Sequence, residues 1–203
     1  MKNIAVFVSG GGTNLQSLLD AVESGAISGG KIVLVFSNKK NAYGLERAKK
    51  YNVHTLHMAP GDFASAAEYD RQLASVLNEK KIGLVCLAGY MRLLSPQFIA
   101  AFPNRILNIH PSLLPAFPGL DAQRQAFEHG VKIAGCTVHF VDDQLDHGVI
   151  VLQRAIPVLD GDDAHTLAER ILAEEHIAYT EAIARVSGGE YEIRGRRFVK
   201  RAG

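Results

Sequence analysis

Asn108 and His110 are the residues from which chemistry is most directly read in this chain. They lie in Asn108-Ile109-His110-Pro111-Ser112-Leu113-Leu114-Pro115, which closes the apolar run Ile106-Leu107-Asn108-Ile109. That run predicts a short buried strand, on which side chains two apart point the same way. The prolines that follow lack an N–H and stop regular pairing. An amide and an imidazole therefore stand together at a strand's carboxyl end. The pair suits acyl transfer, where an oxyanion needs a donor and a proton must be moved.

Three further clusters carry chemistry. Ser9-Gly10-Gly11-Gly12-Thr13-Asn14 follows the first predicted strand and precedes the first helix. Its glycines allow positive φ and close approach of backbone to a ligand, and a helix N-terminus suits a phosphate. The same residues also fit a tight turn with Thr13 or Asn14 as helix cap. The loop is neither the dinucleotide fingerprint, since Leu15 stands where a third glycine is required, nor a P-loop, since no Gly-Lys-Ser/Thr follows. Asp146, in Leu145-Asp146-His147-Gly148, lies between two predicted strands. It reads either as a carboxylate that charges and orients an imidazole or as part of a hairpin turn; Asp142 and Asp143 read as turn residues. Leu87-Ala88-Gly89-Tyr90-Met91-Arg92-Leu93-Leu94-Ser95-Pro96 reads as the wall of a pocket for a flat apolar ligand, or as core with Ser95 capping the next helix. Of the eight histidines, His54, His57, His129, His139, His165 and His176 read as structural, and His147 stays open.

The elements that must position these groups alternate. Strands are expected at 4–8, 32–37, 53–57, 84–88 and 106–110, with helices at 15–23, 44–51, 66–80 and 96–101 between them. Continuous apolar strands separated by helices imply a mostly parallel, twisted sheet flanked by helices on both faces, with ligands at the strands' carboxyl ends. Beyond Pro115 the pattern predicts a helix at 120–129 stopped by Gly130, long strands at 133–141 and 149–158, and a helix from about Asp163 to Val186 stopped by Gly188-Gly189. The tail, 191–199, is expected to add an edge hairpin. No repeat or linker interrupts the pattern, so the 203 residues are expected to form a single α/β domain.

Composition narrows the partners. Hydrophobic residues make up 47% and charged residues 21%, with a formal net charge of +1. Nothing there favours nucleic acid or membrane. The basic residues Arg194, Arg196, Arg197, Lys200 and Arg201 read as a solvated C-terminal face. Cys86 and Cys136 sit in apolar runs without metal-type spacing, and read as buried thiols in a reduced, cytoplasmic compartment. Neither a signal peptide nor a membrane-length apolar run is seen.

Taken in order, Ser9–Gln16, Ser37-Asn38, Gly44–Arg47, Leu87–Arg92, Asn108–Pro115, Pro118-Gly119-Leu120, Gly135–Val141 and Leu145–Gly148 resemble the formyltransferase family over roughly residues 3–180. The resemblance implies a Rossmann-like formyltransferase fold over 1–203, with a phosphate-binding half at about 1–100 and a catalytic, folate-binding half at about 101–190. It implies that Gly11, Gly12, Thr13 and Asn14 hold the phosphate of phosphoribosylglycinamide and that Glu175 contacts the same substrate. It implies that Met91, Arg92, Leu93, Leu94, Asn108 and the loop Asp142, Asp143, Gln144, Leu145, Asp146 bind 10-formyltetrahydrofolate, the cosubstrate. Asn108, His110 and Asp146 would be the catalytic trio, with no metal. Both partners are small molecules, and the sequence leaves monomer and homodimer open. The chain departs from the family in carrying Ala66 and Ala67 where a basic residue often meets the folate tail, and Asp121 where histidine is common. Formyltetrahydrofolate hydrolysis, formyl transfer to methionyl-tRNA and simple folate or nucleotide binding are the rival functions. Relatives with the first two add a regulatory or an RNA-binding domain, and binding alone needs no titratable trio.

Overall fold

A computed structural model describes residues 1–202. Strands β1 (Lys2–Val8), β2 (Gly30–Ser37), β3 (His54–His57), β4 (Ile82–Leu87), β5 (Ile106–His110), β6 (Ile133–Phe140) and β7 (Ile150–Pro157) form one seven-stranded sheet in the order β3-β2-β1-β4-β5-β6-β7. The first five run parallel; β6 is antiparallel to β5, and β7 to β6. Helices α1 (Thr13–Glu23), α2 (Tyr43–Lys50), α5 (Ala122–His129) and α6 (Ala164–Gly188) cover one face, and α3 (Ala66–Glu79) and α4 (Pro96–Ala101) the other. This is the single-domain, mostly parallel α/β architecture expected from the alternation of elements.

Strand β1 shows why its run of apolar residues has no polar side. Ile4, Val6 and Val8 enter the core under α1 and α6, whereas Ala5 and Phe7 enter the core under α3 and α4. A central parallel strand is buried on both faces, so alternation of polar and apolar residues is lost. The sheet order reverses between β1 and β4, and this switch point opens a crevice at the carboxyl ends of both strands.

Helix α6 ties the two halves of the chain together. It starts at a capping box in which the Asp163 carboxylate accepts from Thr166 N and the Thr166 hydroxyl accepts from Asp163 N. It stops at Gly189, whose φ of 79° suits glycine. The fully buried Tyr179 hydroxyl lies 3.0 Å from the Leu87 carbonyl of β4 and 3.1 Å from the Leu107 carbonyl of β5.

Two expectations are corrected. Helix α1 is capped neither by Thr13 nor by Asn14: its N-cap is Gly12, in left-handed backbone with φ 71° and no side-chain bond. The tail folds as a hairpin, β8 (Tyr191–Arg194) with β9 (Arg197–Lys200), but the pair forms a separate two-stranded sheet rather than an edge of the main one. Its aromatic residues bring it there: Phe198 stacks on Tyr191 at 5.0 Å and packs against Phe140 at 5.9 Å. Cys86 and Cys136 are both buried and unpaired, and burial pushes the Cys136 thiol up to about 12. No described helix is long and apolar enough to cross a membrane.

Candidate active site

The glycine-rich loop lies at the switch point. A cavity of about 200 Å³ is lined by Ser9 through Asn14 on one side and by Ala88, Gly89 and Met91 on the other. The loop's carbonyls are turned away from it. Gly44 N donates to the Gly10 carbonyl, and Arg47 Nε donates to that of Gly11 at 2.8 Å. The first bond of α1 is Gln16 N to Gly12 O, so the N–H groups of Thr13, Asn14 and Leu15 have no partner within the helix. A methyl group on Gly12 would come within 2.9 Å of Gly44 Cα, which is why the loop can pass so close to α2. Ser9 fixes the two walls of the cavity: its hydroxyl donates to Asn38 Oδ1 at 2.6 Å and accepts from Met91 N at 2.9 Å.

Beneath the loop, Asn14 Nδ2 donates to Glu175 Oε2 of α6 at 2.8 Å, and both residues are buried. Asn14 Oδ1 has no partner among the described residues. Burial pushes the Glu175 carboxyl above its ordinary value, and the Asn14 bond opposes this in part. The folded state therefore holds this proton more tightly than the unfolded chain. Its contribution to stability is present below the ordinary value of 4.5 and is lost as pH rises through the folded value. Glu175→Gln, which keeps an acceptor for Asn14 without that charge, should raise the melting temperature near neutral pH. The gain should vanish in acid, and paired thermal melts at both pH values check it.

Strand β5 carries the second group of residues. Its carboxyl half pairs with β4 on one side, Leu87 against Asn108, and with β6 on the other, Asn108 against His139 and His110 against Thr137. Asn108 thus adjoins the strand that runs directly into the cavity wall at Ala88. His110 is buried. Its Nε2 lies 2.9 Å from the Phe117 carbonyl and its Nδ1 lies 3.4 Å from Asp146 Oδ2. Both ring nitrogens face acceptors, an arrangement that satisfies both N–H groups of an imidazolium.

Asp146 reaches His110 because the loop between β6 and β7 doubles back. The loop leaves beside the start of β5, where Val141 N donates to the Ile106 carbonyl, and Asp146 sits in left-handed backbone with φ 49°. Gly119 N donates to the same Oδ2 at 2.8 Å. Phe117 and Gly119, whose backbones meet the imidazole and the carboxylate, also have positive φ, 52° and 84°. For Phe117 and Asp146, which are not glycine, this is a departure from favoured backbone of the kind found at functional sites. The segment between them and β5 is held by Thr137, whose hydroxyl donates to Ser112 O and accepts from Leu114 N and Gln153 Nε2.

His139, read from sequence as structural, stands at this site. Its Nδ1 lies 2.8 Å from the Phe140 carbonyl and its Nε2 lies 3.3 Å from Asn108 Nδ2. Burial holds its pKa below the ordinary value, so the ring is neutral: Nδ1 donates to Phe140 and Nε2 accepts from Asn108. The 3.7 Å approach of Nε2 to Asp146 Oδ1 is then no ion pair. His139 orients the Asn108 amide and leaves its second N–H free. Only the antiparallel register of β5 and β6 reveals this. His147, left open, pairs with Asp142 at 2.8 Å and not with Asp146.

The remaining expected positions divide. Met91, Leu93 and Leu145 are 74%, 79% and 61% exposed, and so is Leu120 at 79%, which sequence reading passed over. Large apolar side chains so exposed on loops beside the site form a surface suited to a flat ligand. Leu94 packs against the α3–α4 core instead, and the Arg92 guanidinium lies over the Tyr69 ring at 4.8 Å. Ser95 caps α4, as expected, by accepting from Phe98 N. Asp142 makes a local turn by accepting from Gln144 N. Asp143 and Gln144 are exposed.

An open α/β sheet with an anion-suited loop at its switch point, and an Asn–His pair on β5 met by an Asp from the β6–β7 loop, defines a group-transfer enzyme of a recognisable kind. The sequence profile of the formyl transferase family matches residues 2–183, and the chain belongs to that family. It is 42% identical to the phosphoribosylglycinamide formyltransferase of Escherichia coli strain K12, covering 94% of this chain and 90% of that one. The structure superposes on glycinamide ribonucleotide transformylase 1 of Symbiobacterium toebii with a TM-score of 0.95 and 55% identity, covering 98% of this chain and 94% of that chain. It is also 46% identical, over 93% of its length, to the trifunctional purine biosynthetic protein adenosine-3 of Drosophila pseudoobscura pseudoobscura, of which it spans 14%.

Proposed function

We propose that this chain transfers the formyl group of 10-formyltetrahydrofolate to the amine of phosphoribosylglycinamide, a step of purine biosynthesis, as a cytoplasmic enzyme. The observation that carries the reading is the meeting of Asn108 and His110 of strand β5 with Asp146 of the β6–β7 loop, next to a glycine-lined cavity. The names of the relatives support the choice of substrates. The free N–H groups at the start of α1 receive the acceptor's phosphate, and Glu175 with Asn14 meets the acceptor nearby. The exposed Met91, Leu93 and Leu145 cover the pterin, and the backbones of 91–94 and 142–146 supply its hydrogen bonds. The half at about 1–100 is then chiefly the phosphate side, and that at about 101–190 the formyl side.

The amine attacks the formyl carbon, and the carbonyl oxygen takes up negative charge. The free N–H of Asn108 and the charged ring of His110 stabilise that oxygen. The attacking nitrogen loses a proton and the folate nitrogen gains one; His110 relays it through Nε2, which exchanges the Phe117 carbonyl for the reacting groups while Asp146 holds Nδ1. The formylated acceptor and tetrahydrofolate leave. Neither a covalent enzyme intermediate nor a metal takes part.

The test is a spectrophotometric assay with formyl-folate, with and without the acceptor. Turnover should require phosphoribosylglycinamide, and inorganic phosphate should compete with it. Formate release without acceptor would favour the hydrolase, and equal rates with the unphosphorylated riboside would remove the phosphate role from the loop. Thr13→Asp should raise the acceptor's KM by like-charge repulsion while leaving the folate's nearly unchanged.

A further inference from the structure

The basic C-terminal hairpin has no place in the reaction as described, yet its turn touches the loop that carries Asp146. Arg196 follows Gly195, whose φ is 58°, in the tight turn between β8 and β9. Its Nη2 donates to the His147 carbonyl at 2.7 Å, and its Nη1 donates to His147 Nε2 at 3.1 Å. His147 Nδ1 in turn donates to Asp142 Oδ2 at 2.8 Å. One guanidinium thus binds the residue next to Asp146 twice, and through its ring reaches the far side of the loop. The same hairpin packs Phe198 on Phe140, the last residue of β6. The loop's return is fixed as well: a methyl group on Gly148 would come within 1.8 Å of the Phe140 carbonyl.

We infer that Arg196 is a positioning residue for the 142–148 loop, and that the C-terminal hairpin serves as a brace holding Asp146 against His110. The inference rests on the functional reading above, in which that loop meets the formyl donor and completes the trio. Asp146 occupies left-handed backbone, a conformation that persists only where neighbours hold it. The contacts that hold the loop without the hairpin are Gly119 N on the Asp146 carboxylate, the close pass of Gly148 by Phe140, and the Asp142 carboxylate on Gln144 N and the His147 ring. Arg196 adds a further one on the carbonyl and ring of His147, the residue after Asp146. Arg196 and His147 are exposed, so the contact adds little to global stability, as exposed charged contacts generally do. Its effect is on local order and on the distance between Asp146 and His110.

The experiment compares wild type with Arg196→Ala and Arg196→Lys in the full chain. Amide hydrogen exchange across residues 141–149, read without substrate, should be faster in Arg196→Ala while the melting temperature stays put. Turnover should fall roughly tenfold, below the loss of about 10²-fold that a 1 Å misplacement can cause. The KM of the formyl donor should rise and that of the phosphorylated acceptor should not. Arg196→Lys, which keeps a donor for the His147 carbonyl, should recover most of both losses. Unchanged exchange with unchanged kinetics would overturn the brace. Faster exchange with unchanged kinetics would overturn its service to the site, and slower kinetics with unchanged exchange would overturn positioning as the cause. A wild-type chain that moves no formyl group would overturn the functional reading instead, and the exchange comparison would still decide whether Arg196 orders the loop.

Discussion

Asp146→Asn should lower turnover by at least about 10²-fold, within the span expected for residues that govern proton transfer. The substitution preserves shape, so the loss isolates charge and acceptor capacity. Asp146 Oδ2 accepts from Gly119 N and faces His110 Nδ1 at 3.4 Å. An amide must place either its oxygen or its NH2 there. With the oxygen toward Gly119 the loop is kept but the negative charge beside the imidazole is gone; with the NH2 there, two donors face each other. Both KM values should change less than kcat, because the carboxylate acts on charge that develops in the transition state. Steady-state kinetics on both substrates, with a melting curve to show that the fold is intact, make the measurement. Wild-type turnover in this variant would reduce Asp146 to a turn residue.

Asn108→Ala should lower turnover by roughly 10²–10³-fold, the range for losing one preorganised oxyanion donor. The fold should survive, since the side chain's hydrogen bond runs to a single partner, His139 Nε2. His139→Leu should reproduce part of the loss, because a neutral ring that accepts from Asn108 is what aims the amide. Single-turnover rates of the two variants, each with its melting temperature, separate aim from stability. An Asn108→Ala enzyme as fast as wild type would make the amide a strand-end residue without a chemical role.

The sheet was legible because its signals are local. Pro111 ends β5 and its apolar run sets the start, so its predicted limits coincide with those observed. The strands β1 and β4 extend to Lys2 and Ile82, earlier than their apolar runs suggest, because Asn3 pairs with Ile82 and pairing, not hydropathy, decides where a ladder begins. The shared face of Asn108 and His110 followed from the period of a strand. The approach of Asp146 did not: nothing in its neighbours shows that the loop folds back along β5, and only the family resemblance brought it to His110. The contact of His139 with Asn108 was hidden for the same reason, since its register depends on an antiparallel pairing across an intervening helix. Arg196 was invisible within a run of basic residues that are all exposed, because nothing local shows which of them reaches the His147 loop.

The geometry of α6 has a consequence for how far this architecture can vary. Glu175 lies under the glycine-rich loop, and Tyr179, four residues on, meets the carbonyls of β4 and β5. Four residues are about 6 Å of rise on one side of a helix. The helix therefore acts as a gauge, setting the offset between the glycine-rich loop and the carboxyl ends of β4 and β5. Strands and loops elsewhere can lengthen without altering that offset. A single residue gained or lost between Glu175 and Tyr179 would turn one of them about 100° away from its partner, so this short stretch of helix cannot change in length without breaking one of the two contacts.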